Sequence, residues 1–174
     1  MDWSRASKEL VQEVVREAEL YLQAQLSLAL SADQRSSVMA SLFTAGASAI
    51  AAGLMTLASS DHSGVNALAI YAGGITAIVL LVVAASFCIW SAWPTDFSVP
   101  GNIPASWYED VEKPRDLPLL LGEQAEIYET QIADNNQKLH ANARRFQWGA
   151  LAGIVAPMLG LAVWLVVLIC VPKR

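Results

Sequence analysis

The sequence predicts an all-α integral membrane protein with three transmembrane helices and two amphipathic cytoplasmic helices that pack as a bundle. Charged residues make up only 16% of the 174 residues and hydrophobic residues 55%, whereas about 25% of a typical soluble domain is charged. Three runs contain no Asp, Glu, Lys or Arg, and each exceeds the roughly 20 residues that a helix needs to cross the hydrocarbon core. A chain of this length cannot surround three wholly apolar helices as a soluble core. The charge-free runs are residues 36–60, 63–95 and 146–172.

The first segment, residues 1–30, is predicted to form a cytoplasmic amphipathic helix. Residues 2–19 hold five acidic and three basic side chains, and a negative net charge disfavours binding to an anionic lipid surface. We therefore expect the apolar seam of this helix to pack against protein. The seam follows alternating steps of four and three residues: Val11, Val15, Ala18, Leu22, Gln25 and Ala29.

A second helix, transmembrane helix 1, is predicted over residues 31–60. Ser31 and Gln34 fit the capping-box pattern S-x-x-Q, and Asp33 puts a negative charge in the first turn, where it complements the helix dipole. Arg35 completes this helix-start motif just before the charge-free run.

Small and hydroxylated side chains form one stripe along this first span. Such a stripe has two interpretations: contact between membrane helices, or the lining of a wet pore. The residues that define it are Ser37, Ser41, Thr44, Ser48 and Ser59, with Ala52 and Met55 at the intervening steps.

Transmembrane helix 2 is predicted over residues 64–93, followed by a proline-rich cytoplasmic loop over residues 94–118. Five prolines in 25 residues forbid a continuous helix there. The loop also contains Phe97, Trp107 and Tyr108, so we expect it to be ordered and packed against the helices or under the membrane.

Residues 119–145 are predicted to form a heptad helix that runs directly into the third span. Asparagines at heptad seam positions can fix register and partner number. Packing against residues 4–29 of the same chain and contact with another subunit are both open, and one assembly can contain both. The cytoplasmic seam includes Tyr128, Ile132, Asn135, Leu139 and Asn142.

Transmembrane helix 3 is predicted over residues 146–171. Gly149 and Gly153 are spaced to allow close approach of a neighbouring helix. Pro157 removes one backbone hydrogen bond near the middle of the span and is expected to kink it. Gly153, Pro157 and Gly160 therefore form a candidate hinge.

The basic residues predict the orientation of the chain. Lys and Arg number four in residues 1–35, five in residues 96–145 and two at the end, Lys173 and Arg174. With three spans, the positive-inside rule puts the N-terminus and residues 96–145 in the cytoplasm. The turn at Asp61 and His62 and the C-terminus are then outside.

No catalytic motif, metal-binding pattern or cofactor motif is recognisable. The sequence has no H-E-x-x-H, no glycine-rich phosphate loop and no C-x-x-C. The spans carry no ionisable side chain, which argues against a pump or an ion-coupled transporter. A non-enzymatic protein without metal or cofactor is predicted.

The order of these parts resembles the Pycsar-effector-like membrane effectors of bacterial anti-phage systems, in particular their small three-span relatives. The local matches are residues 32–35 before the first span, the loop residues Pro94, Phe97, Pro100, Gly101, Pro104 and Trp107, and the helix residues Tyr128, Ile132, Asn135 and Leu139.

The resemblance implies an effector of the bacterial inner membrane that oligomerises and perturbs or permeabilises the membrane, on a cyclic-nucleotide signal. Membrane lipid and further copies of the chain are then its partners, with a cyclic nucleotide or a partner protein, and no nucleic-acid polymer. The chain departs from the family in having no separate nucleotide-binding module. The alternative is a structural anchor or scaffold whose cytoplasmic helices bind a partner protein. The cations available for a nucleotide are Arg115, Lys138, Arg144 and Arg145.

Overall fold

The computed structural model describes residues 3–59, 65–102, 104–112 and 115–170. Within these ranges every regular element is helical, which confirms the all-α class. The α-helices are α1 (Lys8–Ala58), α2 (Val65–Ser91), α3 (Tyr108–Glu112) and α4 (Leu117–Cys170), and short 3-10 helices cover Trp3–Arg5 and Pro104–Trp107.

Three of these helices are long and apolar enough to cross a membrane: α1, α4 and the part of α2 from Ala67 to Ser91. Each contains most of one charge-free run, so the prediction of three helices long and apolar enough to cross a membrane is confirmed by length and composition. The predicted turn at Asp61 and His62 and the terminal residues Lys173 and Arg174 lie outside the described residues.

The prediction that a new helix begins at Ser31 is wrong. Helix α1 is continuous from Lys8 to Ala58, and the Ser31 hydroxyl donates to the Ser27 carbonyl within it (2.9 Å). No proline or glycine interrupts residues 8–45, so backbone hydrogen bonds can continue through the motif. Residues 1–30 and 31–60 therefore do not hold separate helices.

The proline-rich segment ends where α4 begins. The Asp116 carbonyl accepts hydrogen bonds from the amides of Leu119 and Leu120 (3.0 and 3.2 Å). Pro118 lies in the first turn of α4, where a missing N–H costs no helical hydrogen bond. The segment is not wholly irregular, because it contains α3 and the 3-10 helix before it.

The chain divides into two compact units. Unit 1 comprises Met1–Ser31 and Pro94–His140, and unit 2 comprises Ala32–Trp93 and Ala141–Arg174. Unit 1 is centred on the buried side chains of Val11, Leu22 and Tyr128.

Unit 2 contains most of each charge-free run, and most of its buried residues are small. Ala47, Leu81 and Ala156 form its hydrophobic core cluster, with Phe43 and Ile50 packed against it. Small buried side chains let helix backbones approach closely, as is usual where helices pack in membranes.

Candidate functional site

The predicted stripe on the first span faces away from the packed interior of unit 2. All five of its hydroxylated residues are exposed, as are Ala52 and Met55 between them. The face of α1 that packs inside unit 2 is a different one, carrying Ser36, Ala40 and Ala47. The exposed stripe consists of Ser37, Ser41, Thr44, Ser48 and Ser59.

Three of the stripe hydroxyls bond to their own helix. Ser41 donates to the Ser37 carbonyl (2.9 Å), Thr44 to the Ala40 carbonyl (2.8 Å) and Ser59 to the Thr56 carbonyl (2.8 Å). A hydroxyl in this arrangement has its proton satisfied, while its oxygen lone pairs can still accept a hydrogen bond. The stripe therefore presents hydroxyl oxygens that can still accept hydrogen bonds from another group.

A short chain of hydrogen bonds joins the three long helices inside unit 2. Ser36 on α1 donates to the Ser91 hydroxyl on α2 (3.3 Å), which donates to the Asn142 carbonyl on α4 (2.8 Å). All three residues are buried. Asn142, predicted as a seam residue, therefore contacts the same chain through its backbone, and its side-chain oxygen accepts from Arg145 (2.9 Å).

Gly149, Gly153 and Gly160 of the third span lie at close contacts with the other two long helices. A Cβ on Gly149 would lie 2.8 Å from Cys88 Sγ and 3.0 Å from the Ala84 carbonyl oxygen. A Cβ on Gly153 would overlap the ring of Phe43, and one on Gly160 would lie 2.9 Å from the Gly73 carbonyl oxygen. Pro157 lies inside α4, which remains helical on both sides of it.

The buried side chain of Asn135 clamps the proline-rich segment in unit 1. Its Oδ1 accepts from the Ser98 amide (2.9 Å), and its Nδ2 donates to the Ser98 carbonyl (3.0 Å). The same Nδ2 also donates to Gln25 Oε1 (3.2 Å). Gln25 in turn donates to the Ile132 carbonyl (3.1 Å) and to Asn136 Oδ1 (2.9 Å).

A second clamp in unit 1 is built on Tyr128, whose side chain is 2% exposed. Its hydroxyl accepts from the Gly101 amide and donates to Glu19 Oε1, both at 3.0 Å. Gly101 has a φ of +94°, a left-handed conformation that glycine adopts without steric cost. Burial raises the pKa of Tyr128, and the neighbouring Glu19 carboxylate raises it further.

Two of the cations predicted to meet a nucleotide bind carboxylates within unit 1. In unit 1, Arg115 binds Asp110 (2.8 Å) and Glu123 (3.0 Å), and these carboxylates raise its pKa. Lys138 binds Asp134 (2.6 Å) in the same unit. Arg144 is exposed in unit 2.

Two arginines of unit 2 lie against aromatic rings. The Arg145 guanidinium is 4.7 Å from the centroid of Trp90, within cation–π range. That of Arg35, from the predicted helix-start motif, is 5.9 Å from the centroid of Phe146. The rest of that motif makes no cap, and Gln34 is exposed.

Sequence reasoning missed the partners of these side chains. The heptad pattern selects Tyr128 and Asn135, but nothing in it points to Ser98 or Gly101. Glycine after proline at positions 100 and 101 marks a turn, which was the available signal for one of them. Ser36 and Ser91 differ in no visible way from other serines in and beside the spans.

A metal centre is not found in the part of the chain that the structure describes, where no group of three or more His, Cys, Asp or Glu residues is arranged to hold an ion. Cys88 is buried and Cys170 exposed, and both are free. Comparisons with protein-family models, with curated proteins and with solved structures find no match to this chain.

Proposed function

We propose that this chain is an effector of the bacterial inner membrane that oligomerises and permeabilises the membrane during anti-phage defence. The three long apolar helices would cross the membrane, and the segments of α1 and α4 that belong to unit 1 would form its amphipathic cytoplasmic helices. The role in defence comes from the resemblance of the sequence to Pycsar-effector-like proteins. The permeabilising mechanism is inferred from the exposed stripe of hydroxylated residues on the first span.

The exposure of this stripe is the observation that carries the proposal. A lipid-facing surface gains nothing from hydroxyl groups, whereas small and hydroxylated residues are favoured where membrane helices meet. The internal contacts of unit 2 use another face of α1. The stripe is therefore not used in the internal contacts of unit 2, and a ring of copies with this face turned inward would line an opening with hydroxyl oxygens.

The cyclic-nucleotide trigger belongs to the proposal through the resemblance alone. Arg115 and Lys138 already bind carboxylates, so a phosphate would have to displace those partners. The trigger is therefore tested separately, by comparing samples with and without cyclic nucleotides.

Dye release from liposomes tests the permeabilising activity. Purified protein is reconstituted with and without cyclic nucleotides, and release is compared for wild type, Ser41→Leu, Ser48→Leu and the double variant. Ala49→Leu is the matched control, because Ala49 is exposed on the same helix but lies off the stripe. We expect release by wild type and A49L, and at least a fivefold lower rate for the double variant. Equal rates for all variants, or no release in any arm, would refute the proposal.

The second candidate function, an anchor or scaffold, is favoured by apolar side chains on the surface of unit 1. Leu20, Tyr21 and Leu28 are each more than half exposed, and clustered apolar surface often marks a protein contact. Recovery of one stoichiometric partner protein together with intact liposomes would support this function over permeabilisation.

A further inference from the structure

Unit 2 contains an apolar groove of about 470 Å³ bordered by all three of its long helices. We propose that this groove binds one acyl chain of a membrane lipid. The lining of the groove includes Gly53 and Leu57 on α1, Ile70, Gly73 and Gly74 on α2, and Gly160 and Trp164 on α4.

Close contacts of α2 with α4 and with α1 hold two walls of the groove in place. A Cβ on Gly73 would lie 2.6 Å from the Gly160 carbonyl oxygen, so α2 and α4 meet backbone to backbone there. Leu54 fills the space beside Gly74, and the Tyr71 hydroxyl donates to the Leu54 carbonyl (3.4 Å), so α1 and α2 also touch. At Gly53, by contrast, an added Cβ would meet no atom within 4 Å.

The lining of the groove selects an apolar occupant. No charged side chain borders it, and apolar cavities do not hold water stably. An engineered cavity of about 150 Å³ already accepts benzene, so this groove is large enough for a longer hydrocarbon. Left empty, it would deprive its walls of van der Waals contacts.

The dimensions favour an acyl chain over a helix from a second copy. Twelve residues line the groove, fewer than the roughly 20–30 residues per side of a specific protein interface. A single hydrocarbon chain is thin and flexible enough to follow the glycine-lined floor. This proposal rests on the three helices crossing a membrane and does not depend on permeabilisation.

Native mass spectrometry of the protein extracted in mild detergent tests the proposal. We expect one phospholipid per chain to remain on wild type after delipidation. Gly53→Phe places a ring in the open space of the groove, and Ile70→Trp fills it from α2, so each variant should retain at least tenfold less lipid. Ala49→Phe adds the same ring on an exposed position of α1 outside the groove and should retain lipid like wild type.

Wild type without bound lipid, or equal retention by A49F and a folded groove-filling variant, would overturn the proposal. A change in oligomer number with lipid retained would instead assign the groove to a second copy and equally overturn it. Two variants on different helices keep the test decisive if one of them fails to fold. Dye release from liposomes is a separate readout, so failure here is distinguishable from failure of the proposed function.

Discussion

Tyr128 joins three segments of unit 1 through a single hydroxyl, because Gly101 and Glu19 both bond to it. Tyr128→Phe keeps the ring but leaves the Gly101 amide without this acceptor. We expect the loss to cost about 1–2 kcal/mol, so amide exchange in residues 94–102 should be about 5–30 times faster than in wild type at pH 7. Hydrogen exchange followed by mass spectrometry measures this ratio. Phe at an exposed tyrosine, Tyr108→Phe, is the control and should leave exchange unchanged.

The difference between wild type and Tyr128→Phe is expected to depend on pH. The pKa of Tyr128 is raised above its ordinary value of 10.0 by burial and by Glu19. A raised pKa of an acid in the folded state means that its stabilising contribution is full below pH 10 and is lost as pH rises through the folded-state value. The difference in unfolding free energy between wild type and Y128F should therefore shrink above pH 10, because the ionised oxygen loses its hydrogen bond to the Glu19 carboxylate while it still accepts from the Gly101 amide. A difference in chemical denaturation that stays constant as the pH is raised above 10 would contradict this account of the hydroxyl.

Asn135 shows how far a residue's role could be predicted from the sequence. Its heptad position placed it on the face of α4 that faces protein, and it is fully buried. The pattern gives only the face, however, and an asparagine on a seam is equally suited to a partner helix from another copy. Its actual partners, Ser98 and Gln25, are 37 and 110 residues away. Contacts at such separations leave no local signal in one sequence.

At the scale of elements, the packing of α2 on α4 depends on glycine at position 73. Gly73→Ala would put a methyl group 2.6 Å from the Gly160 carbonyl oxygen and 2.9 Å from Trp164 Cβ. Backbone cannot yield as a flexible side chain can, so the helices must separate, at a cost of about 1–3 kcal/mol. The midpoint of thermal denaturation in detergent should therefore fall by several degrees.

Gly46→Ala is the matched control for this change. A Cβ there would meet only Leu81 Cδ1, at an ordinary contact distance of 3.6 Å. Alanine is favoured over glycine inside a helix by about 0.5–1 kcal/mol, so G46A should be neutral or stabilising. A fall in midpoint for G46A as large as that for G73A would show that the backbone contact is not what glycine provides.

The elements themselves were predictable where composition decides them. Charge-free runs longer than a membrane thickness gave three apolar helices, and prolines in residues 94–118 stopped α2 from continuing into α4. The start predicted at Ser31 failed because a capping box is a local preference worth about 1 kcal/mol. The residues around it are compatible with an uninterrupted α1, and each continued backbone hydrogen bond competes with the cap.

At the scale of the whole molecule, the acidic residues and the charge-free runs are separated between the two units. Every acidic residue except Asp33 and Asp61 belongs to the segments of unit 1, while the three charge-free runs belong mainly to unit 2. Burial of a charge in hydrocarbon is costly, so a division of this kind is what a membrane imposes on a chain. It was visible in the sequence because it depends on composition and not on specific contacts.

The orientation of the chain is the last property that this charge distribution predicts. Nine of the 11 basic residues lie in residues 1–35 and 96–145, and two lie at the C-terminus. Because three spans put the two termini on opposite sides, the positive-inside rule predicts a cytoplasmic N-terminus and an external C-terminus. Fluorescent-protein and alkaline-phosphatase reporters fused after Arg174 and after Asp96 in matched expression strains measure this. We expect phosphatase activity without fluorescence after Arg174, and fluorescence without phosphatase activity after Asp96. Fluorescence at both positions would mean that no span separates them, so α4 would not cross the membrane.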